Sequence, residues 1–141
     1  MHLKTTISLC LIAVFLLGSC AKRVSFNSST TVPKATGSVK IKRDKHENYM
    51  INLSVRNLPK PDNLQPPKRS YVVWMETNDN RALNIGTIST GRGLFSKSRK
   101  GELETKSSFK PVRIFITPEN ERAPQIPSAE HVLSTNLFKM K

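Results

Sequence analysis

From Ser38 onward, apolar and polar residues alternate with a period of two. Val39 and Ile41 alternate with Lys40 and Lys42, and Tyr49, Ile51, Leu53 and Val55 alternate with Met50, Asn52, Ser54 and Arg56. That period puts every second side chain on one face of a strand, so both stretches predict half-buried strands, joined as a hairpin through the charged residues 43–48. Pro59, Pro61, Pro66 and Pro67 follow, four prolines in nine residues. They forbid a helix or a central strand and predict a fixed surface loop crossing between sheets. Tyr71, Val72, Val73, Trp74 and Met75 form an unbroken apolar run, which predicts a strand buried on both faces or one with an aromatic pinned across the core. Asn78, Asp79, Asn80 and Arg81 read as a polar turn tolerant of positive φ, and Leu83, Ile85, Gly86 and Ile88 as the return strand. Gly91 and Gly93 separate a short strand at Leu94 and Phe95, and residues 102–107 have room for one helical turn. Val112, Ile114 and Ile116 alternate with Arg113 and Thr117, with Phe115 on the outer set and Pro118 as the stop; His131 to Thr135 supplies a last strand. About seven short strands with turn signals every ~8 to 12 residues predict one antiparallel β-sandwich over residues 37–137.

Ahead of this body lies a different pattern. Lys4 precedes twelve mostly apolar residues from Ile7 to Gly18, the layout of a secretory signal peptide over residues 1–19. Twelve helical residues reach about 18 Å against a hydrocarbon core of about 30 Å, too short to span a bilayer. Leu17, Gly18, Ser19 and Cys20 resemble the lipobox of bacterial lipoproteins. The resemblance implies that the Cys20 thiol receives a diacylglyceryl group and that Cys20 becomes the first residue of the mature chain, with palmitate-type acyl chains as the membrane anchor. The alternative is a soluble secreted chain cut by ordinary signal peptidase. With Cys10 removed and Cys20 acylated, no thiol remains for a disulfide, a metal or catalysis. Residues 20–36 are rich in Ser, Thr, Asn and Lys and predict a lipidated flexible tether reaching about 20 to 25 Å; residues 138–141 predict a basic tail. Ala21 differs from the Asp that resembles an inner-membrane retention signal, so the expected location is the outer membrane. The basic residues after Cys20 favour its periplasmic face over the cell surface.

Net charge is +13 and the isoelectric point about 10.2. Such a balance asks for an anionic partner, and nucleic acid is the first that suits it. Export argues against nucleic acid and leaves phospholipid head groups, the phosphates of envelope glycolipids, or an envelope protein. Lys97, Arg99, Lys100, Lys106, Lys110 and Arg113 fall within seventeen residues, opposed by Glu102 and Glu104. If the sheet brings alternate members to one face, they would hold lipid or glycolipid phosphates. The bland alternative is that the excess lysine serves solubility.

Three ordered motifs, YVVWMET at 71–77, NIGTI at 84–88 and FKPVRIFITPE at 109–119, resemble the extracytoplasmic domain of anti-sigma-K-type factors. The resemblance spans about Ser38 to Thr135. It implies an immunoglobulin-like sandwich in which Trp74 takes the place of the buried tryptophan, without the disulfide on which that residue often packs. Thr117 and Glu119 match the family's strand end. Sigma binding is not carried over, because a chain cut at Cys20 keeps no cytoplasmic segment; a sensing or docking role is what remains, in a chain that resembles the mostly uncharacterised free-standing lipoproteins of Bacteroidetes-type envelopes.

Candidate chemistry is sparse. His46 lies in a charged turn and His131 beside Glu130, too far apart in sequence and without the spacing of a metal site. Glu102 and Glu104 share a strand face, as paired carboxylates would, but they also offset the neighbouring cations. Gly91, Arg92 and Gly93 lack the following helix of a phosphate cradle. Both N-x-S sequons, at Asn27 and Asn52, read as chance behind a bacterial lipobox. The expectation is a non-enzymatic, cofactor-free envelope lipoprotein, with no catalytic, cofactor or metal residues to name.

Overall fold

The computed structural model describes residues 20–90 and 100–141. Nine strands run in chain order: β1 (Lys22–Ser25), β2 (Thr36–Arg43), β3 (Tyr49–Arg56), β4 (Ser70–Thr77), β5 (Ala82–Thr87), β6 (Ser89–Thr90), β7 (Lys100–Ser107), β8 (Pro111–Glu119) and β9 (Leu133–Ser134). They form two antiparallel sheets, ordered β1-β2-β3-β7-β6 and β5-β4-β8-β9. The chain is thus a β-sandwich, as the alternation predicts. The order β2-β3-β7-β6 facing β9-β8-β4-β5 is the one used by immunoglobulin-like sandwiches, with β5 pairing to one sheet and β6, one residue on, to the other.

The period-two residues meet between the sheets. Val39, Ile41, Ile51 and Val55 of the first sheet and Val73, Met75, Ile114 and Ile116 of the second are all fully buried. Leu58 and Leu64, from the proline-rich connection, join the same core. Gly101 is required where the layers close: a Cβ there would stand 2.5 Å from Ile88 Cγ2 and 3.1 Å from Val55 Cγ2. Asn80 takes a positive φ of 59° in the β4–β5 turn, as the polar turn predicts.

Several expectations change. Residues 20–36 are not a free tether, because β1 pairs with β2 from Lys22↔Ile41 to Ser25↔Ser38. Phe26 bridges to Thr135 on the other sheet, and Val32 and Ala35 are buried. Residues 138–141 are not a free tail either: the Phe138 N–H donates to the Val112 carbonyl at 2.8 Å, and Phe138 and Met140 are buried. Residues 102–107 form strand rather than a helical turn, in full register with β3; pairing on both sides overrides the helix preference of Glu and Lys. Pro118 does not end β8, which runs on to Glu119. The proposed strand at Leu94 and Phe95 lies outside the described residues.

Trp74 sits on β4, the strand where such folds carry their tryptophan, but it faces outward, away from the main core. It packs with Val72 and Phe115 as a second apolar layer, so β4 is buried on both faces. Its cover is the segment between β8 and β9, tied down by Asn84 Nδ2 to the Pro124 carbonyl at 3.2 Å, Thr87 Oγ1 to the Arg122 carbonyl at 2.9 Å and Ser70 Oγ to the Glu121 carbonyl at 2.8 Å.

Strand direction gives the sandwich two unlike ends. The start of β1 and the β2–β3, β4–β5 and β7–β8 turns lie at one; the proline-rich β3–β4 connection and residues 120–122 lie at the other. The eight residues of β2 separate the ends by about 26 Å at ~3.3 Å per residue.

Candidate functional site

Cys20 is exposed, its thiol is free, and it stands two residues before β1. Its position follows from the edge pairing: continuing the β1–β2 register outward from Lys22↔Ile41 brings Cys20 level with Arg43, at the mouth of the β2–β3 turn. Any group on this sulfur is therefore held against the end of a rigid body, with no flexible spacer between.

The four described cations of the 97–113 stretch do not make one surface. Lys97 and Arg99 lie outside the described residues. Lys100 and Lys106 project from the outer face of the first sheet, and each has a carboxylate partner, Glu102 at 2.5 Å and Asp44 at 3.0 Å. Lys110 is exposed in the β7–β8 turn. Arg113 lies on the outer face of the second sheet, where its Nε donates to Glu76 at 2.8 Å and its guanidinium covers the Phe115 ring at 5.5 Å. The chain crosses from one sheet to the other between Lys106 and Arg113, so closeness in sequence is not closeness on a face.

Burial works to raise the Asp44 carboxyl, but the Lys106 ammonium and the backbone N–H groups of Asn48 and His46 outweigh it and hold the group well below its ordinary range. Asp79 is likewise held low, chiefly by the Thr77 hydroxyl and also by Arg81. Both carboxylates lie in turns at the Cys20 end and lock those turns.

The opposite end holds a cleft of about 770 Å³ lined by Lys60, Asp62, Lys68, Arg69, Glu121 and Arg122. A smaller recess of about 340 Å³ adjoins it through Arg69 and Arg122 and reaches Ser70 and Tyr71. The Tyr71 hydroxyl is buried without a hydrogen-bond partner. Burial pushes the phenol well above its ordinary range, helped by the charges of Glu130 and Asp62. Neither recess was legible from spacing, because segments far apart in sequence build them: the proline-rich connection and residues 120–122 at the cleft, with Tyr71, Thr87 and Ile88 added at the smaller recess.

Beneath the β8–β9 segment, the quoted motif residues form one chain of hydrogen bonds. Trp74 Nε1 donates to Thr117 Oγ1 at 2.7 Å; the Thr117 hydroxyl donates to Glu119 Oε1 at 2.6 Å; and the Ser128 N–H donates to the same oxygen at 2.8 Å. Phe115 stacks between Trp74 and His131, with ring centroids 6.4 and 4.2 Å away. Burial, then the Arg113 charge, lowers the His131 pKa. The indole N–H, the Thr117 hydroxyl and Glu119 Oε1 are all engaged within the protein, so the chemistry of this relay is that of a structural clasp.

Among the described residues, no three His, Cys, Asp or Glu side chains converge as a metal site, and no helix is long and apolar enough to cross a membrane. The fold and its surface define a two-sheet β-sandwich with an exposed cysteine at one end and a basic cleft at the other. No family model, curated protein or solved structure matches the chain.

Proposed function

We propose that the protein is a lipid-anchored component of a bacterial envelope, a non-enzymatic β-sandwich that docks or senses a partner in the periplasm from the outer membrane. The observation that carries this reading is Cys20: an exposed, unpartnered thiol behind a lipobox-like Leu-Gly-Ser, followed after one residue by the first strand of the body. Acyl transfer needs an accessible sulfur, and the geometry supplies one. A docking role is supported by the rigidity of the module, in which Trp74, Thr117 and Glu119 clasp the segment that shapes the edge of the distal cleft. An anchor at one end leaves that cleft facing away from the membrane.

Fractionation in detergent tests the reading. Acylated protein enters the detergent-rich phase and incorporates a palmitate analogue, and Cys20→Ser returns it to the aqueous phase without label. Wild-type protein recovered from the aqueous phase would overturn the anchor, and with it the placement. Crosslinking in intact envelopes, followed by identification of the neighbours, then names the docked component.

A further inference from the structure

The Cys20 end carries lysines that no ion pair balances among the described residues. The side-chain carboxylates described there are all engaged in ion pairs: Asp44 with Lys106, Glu47 with Arg43, Asp79 with Arg81 and Glu76 with Arg113. Lys42, Lys45, Lys110, Lys139 and Lys141 are exposed there, and no ion pair satisfies them among the described residues. The distal cleft differs, since Asp62 and Glu121 lie among its four cations.

Apolar tips accompany these lysines. Phe109, at the β7–β8 turn, is 45% exposed, and Arg81 of the β4–β5 turn covers one side of its ring at 4.9 Å. Leu137, 71% exposed, lies in the segment that returns to β8 beside Val112. An exposed aromatic tip that shares an end of the sandwich with unpaired lysines is the chemistry of a bilayer interface: the ring enters the head-group boundary while ammonium groups meet lipid phosphates.

We propose that this end is a seat for an anionic phospholipid bilayer, so that the sandwich stands upright on the membrane with the β2–β3, β4–β5 and β7–β8 turns in contact with it. The inference rests on the anchor reading for its orientation, since acyl chains on Cys20 bring the bilayer to this end. Charge complementarity selects the occupant. With β1 starting two residues after Cys20, the turns cannot withdraw far beyond a Debye length, about 8 Å at physiological salt. Of the described members of the 97–113 cluster, Lys110 alone belongs to the seat, since Lys106 is held by Asp44.

Trp74 is the chain's only tryptophan and is fully buried, so a tryptophan placed at the surface reports contact cleanly. The chain purified from membranes is bound to vesicles of brominated lipid containing about 30% phosphatidylglycerol. Phe109→Trp is expected to lose about half its added emission to bromine quenching. Ile126→Trp, at a 79% exposed position on the side of the sandwich, is expected to keep its emission. Adding Lys45→Glu and Lys110→Glu to the Phe109→Trp chain should remove the quenching. Equal emission from the two tryptophan variants overturns the seat. Flotation in about 1 M salt separates the two readings, because salt screens the lysines and leaves acyl chains inserted. A chain that leaves the vesicles in salt but shows quenched Phe109→Trp at low salt has the seat without the anchor. One that stays on them with Phe109→Trp unquenched has the anchor and refutes the seat.

Discussion

Replacing Thr117 by Val keeps the shape of a fully buried side chain and removes one oxygen. That oxygen accepts from Trp74 Nε1 at 2.7 Å and donates to Glu119 Oε1 at 2.6 Å. The indole N–H would be left buried without a partner, at a cost of about 1–3 kcal/mol. Glu119 would lose a hydrogen bond to a charged group while keeping the Ser128 N–H, a further ~1–2 kcal/mol once some rehydration at its partly open edge is allowed. The sum, about 2–5 kcal/mol, is a large part of the ~5–15 kcal/mol by which such domains are stable. Trp74 reports unfolding directly, so urea titration followed by its fluorescence is the assay. With a slope of about 2 kcal/mol per molar, the midpoint should fall by about 1–2.5 M. Thr117→Ser keeps the hydroxyl, loses only a methyl and should cost about 1 kcal/mol. A Thr117→Val stability within about 0.5 kcal/mol of wild type, or a Thr117→Ser loss as large as that of Val, would refute the clasp.

Other outcomes follow from the same geometry. Tyr71→Phe removes a buried hydroxyl that has no partner and should leave the urea midpoint unchanged or raise it by up to ~1 kcal/mol; a loss above that would mean the hydroxyl is held in solution. Gly101→Val drives a branched side chain into Ile88 and Val55 and should cost at least ~1–3 kcal/mol in thermal or urea unfolding, whereas Ser108→Ala in the exposed β7–β8 turn should cost little. The lowered His131 pKa means that the unfolded chain binds the proton more readily, so stability is full above about pH 6.5 and falls as pH drops toward the folded value. His131→Phe should flatten that part of the stability–pH curve; an unchanged slope would show that the ring is not responsible. Asp44 and Asp79 act lower on the scale, where their depressed folded pKa values make stability fall as acid protonates them below about pH 4. Asp44→Asn should weaken that fall.

The sandwich was legible because its core strands carry a plain period of two and its turns carry Asn, Asp and Pro. Strand β1 was not, because pairing at a sheet edge depends on β2 beside it and leaves little mark in a Ser- and Thr-rich stretch; the isolated apolar residues Val32 and Ala35 were the available signal. Strand β7 was masked by an outward set made of Glu and Lys, with Gly101 and Thr105 among the inward residues. Trp74 was expected in the position that its resemblance to the family implies and was found on the expected strand, but facing the other way, because the β8–β9 segment supplies a second roof. The described members of the basic cluster part for a simple reason: the chain changes sheets between β7 and β8, leaving Lys100 and Lys106 on the outer face of one sheet and Arg113 on that of the other. The lysines of the Cys20 end come from turns far apart in sequence, which only the fold brings level.

Everything said about place depends on the sulfur of Cys20, and the mass of the amino-terminal peptide tests it most directly. Protein isolated from its own membranes should yield a first peptide that begins at Cys20 and carries the mass of a diacylglyceryl group on the thiol. A peptide that begins elsewhere, or an unmodified Cys20 thiol in the mature chain, would contradict the account.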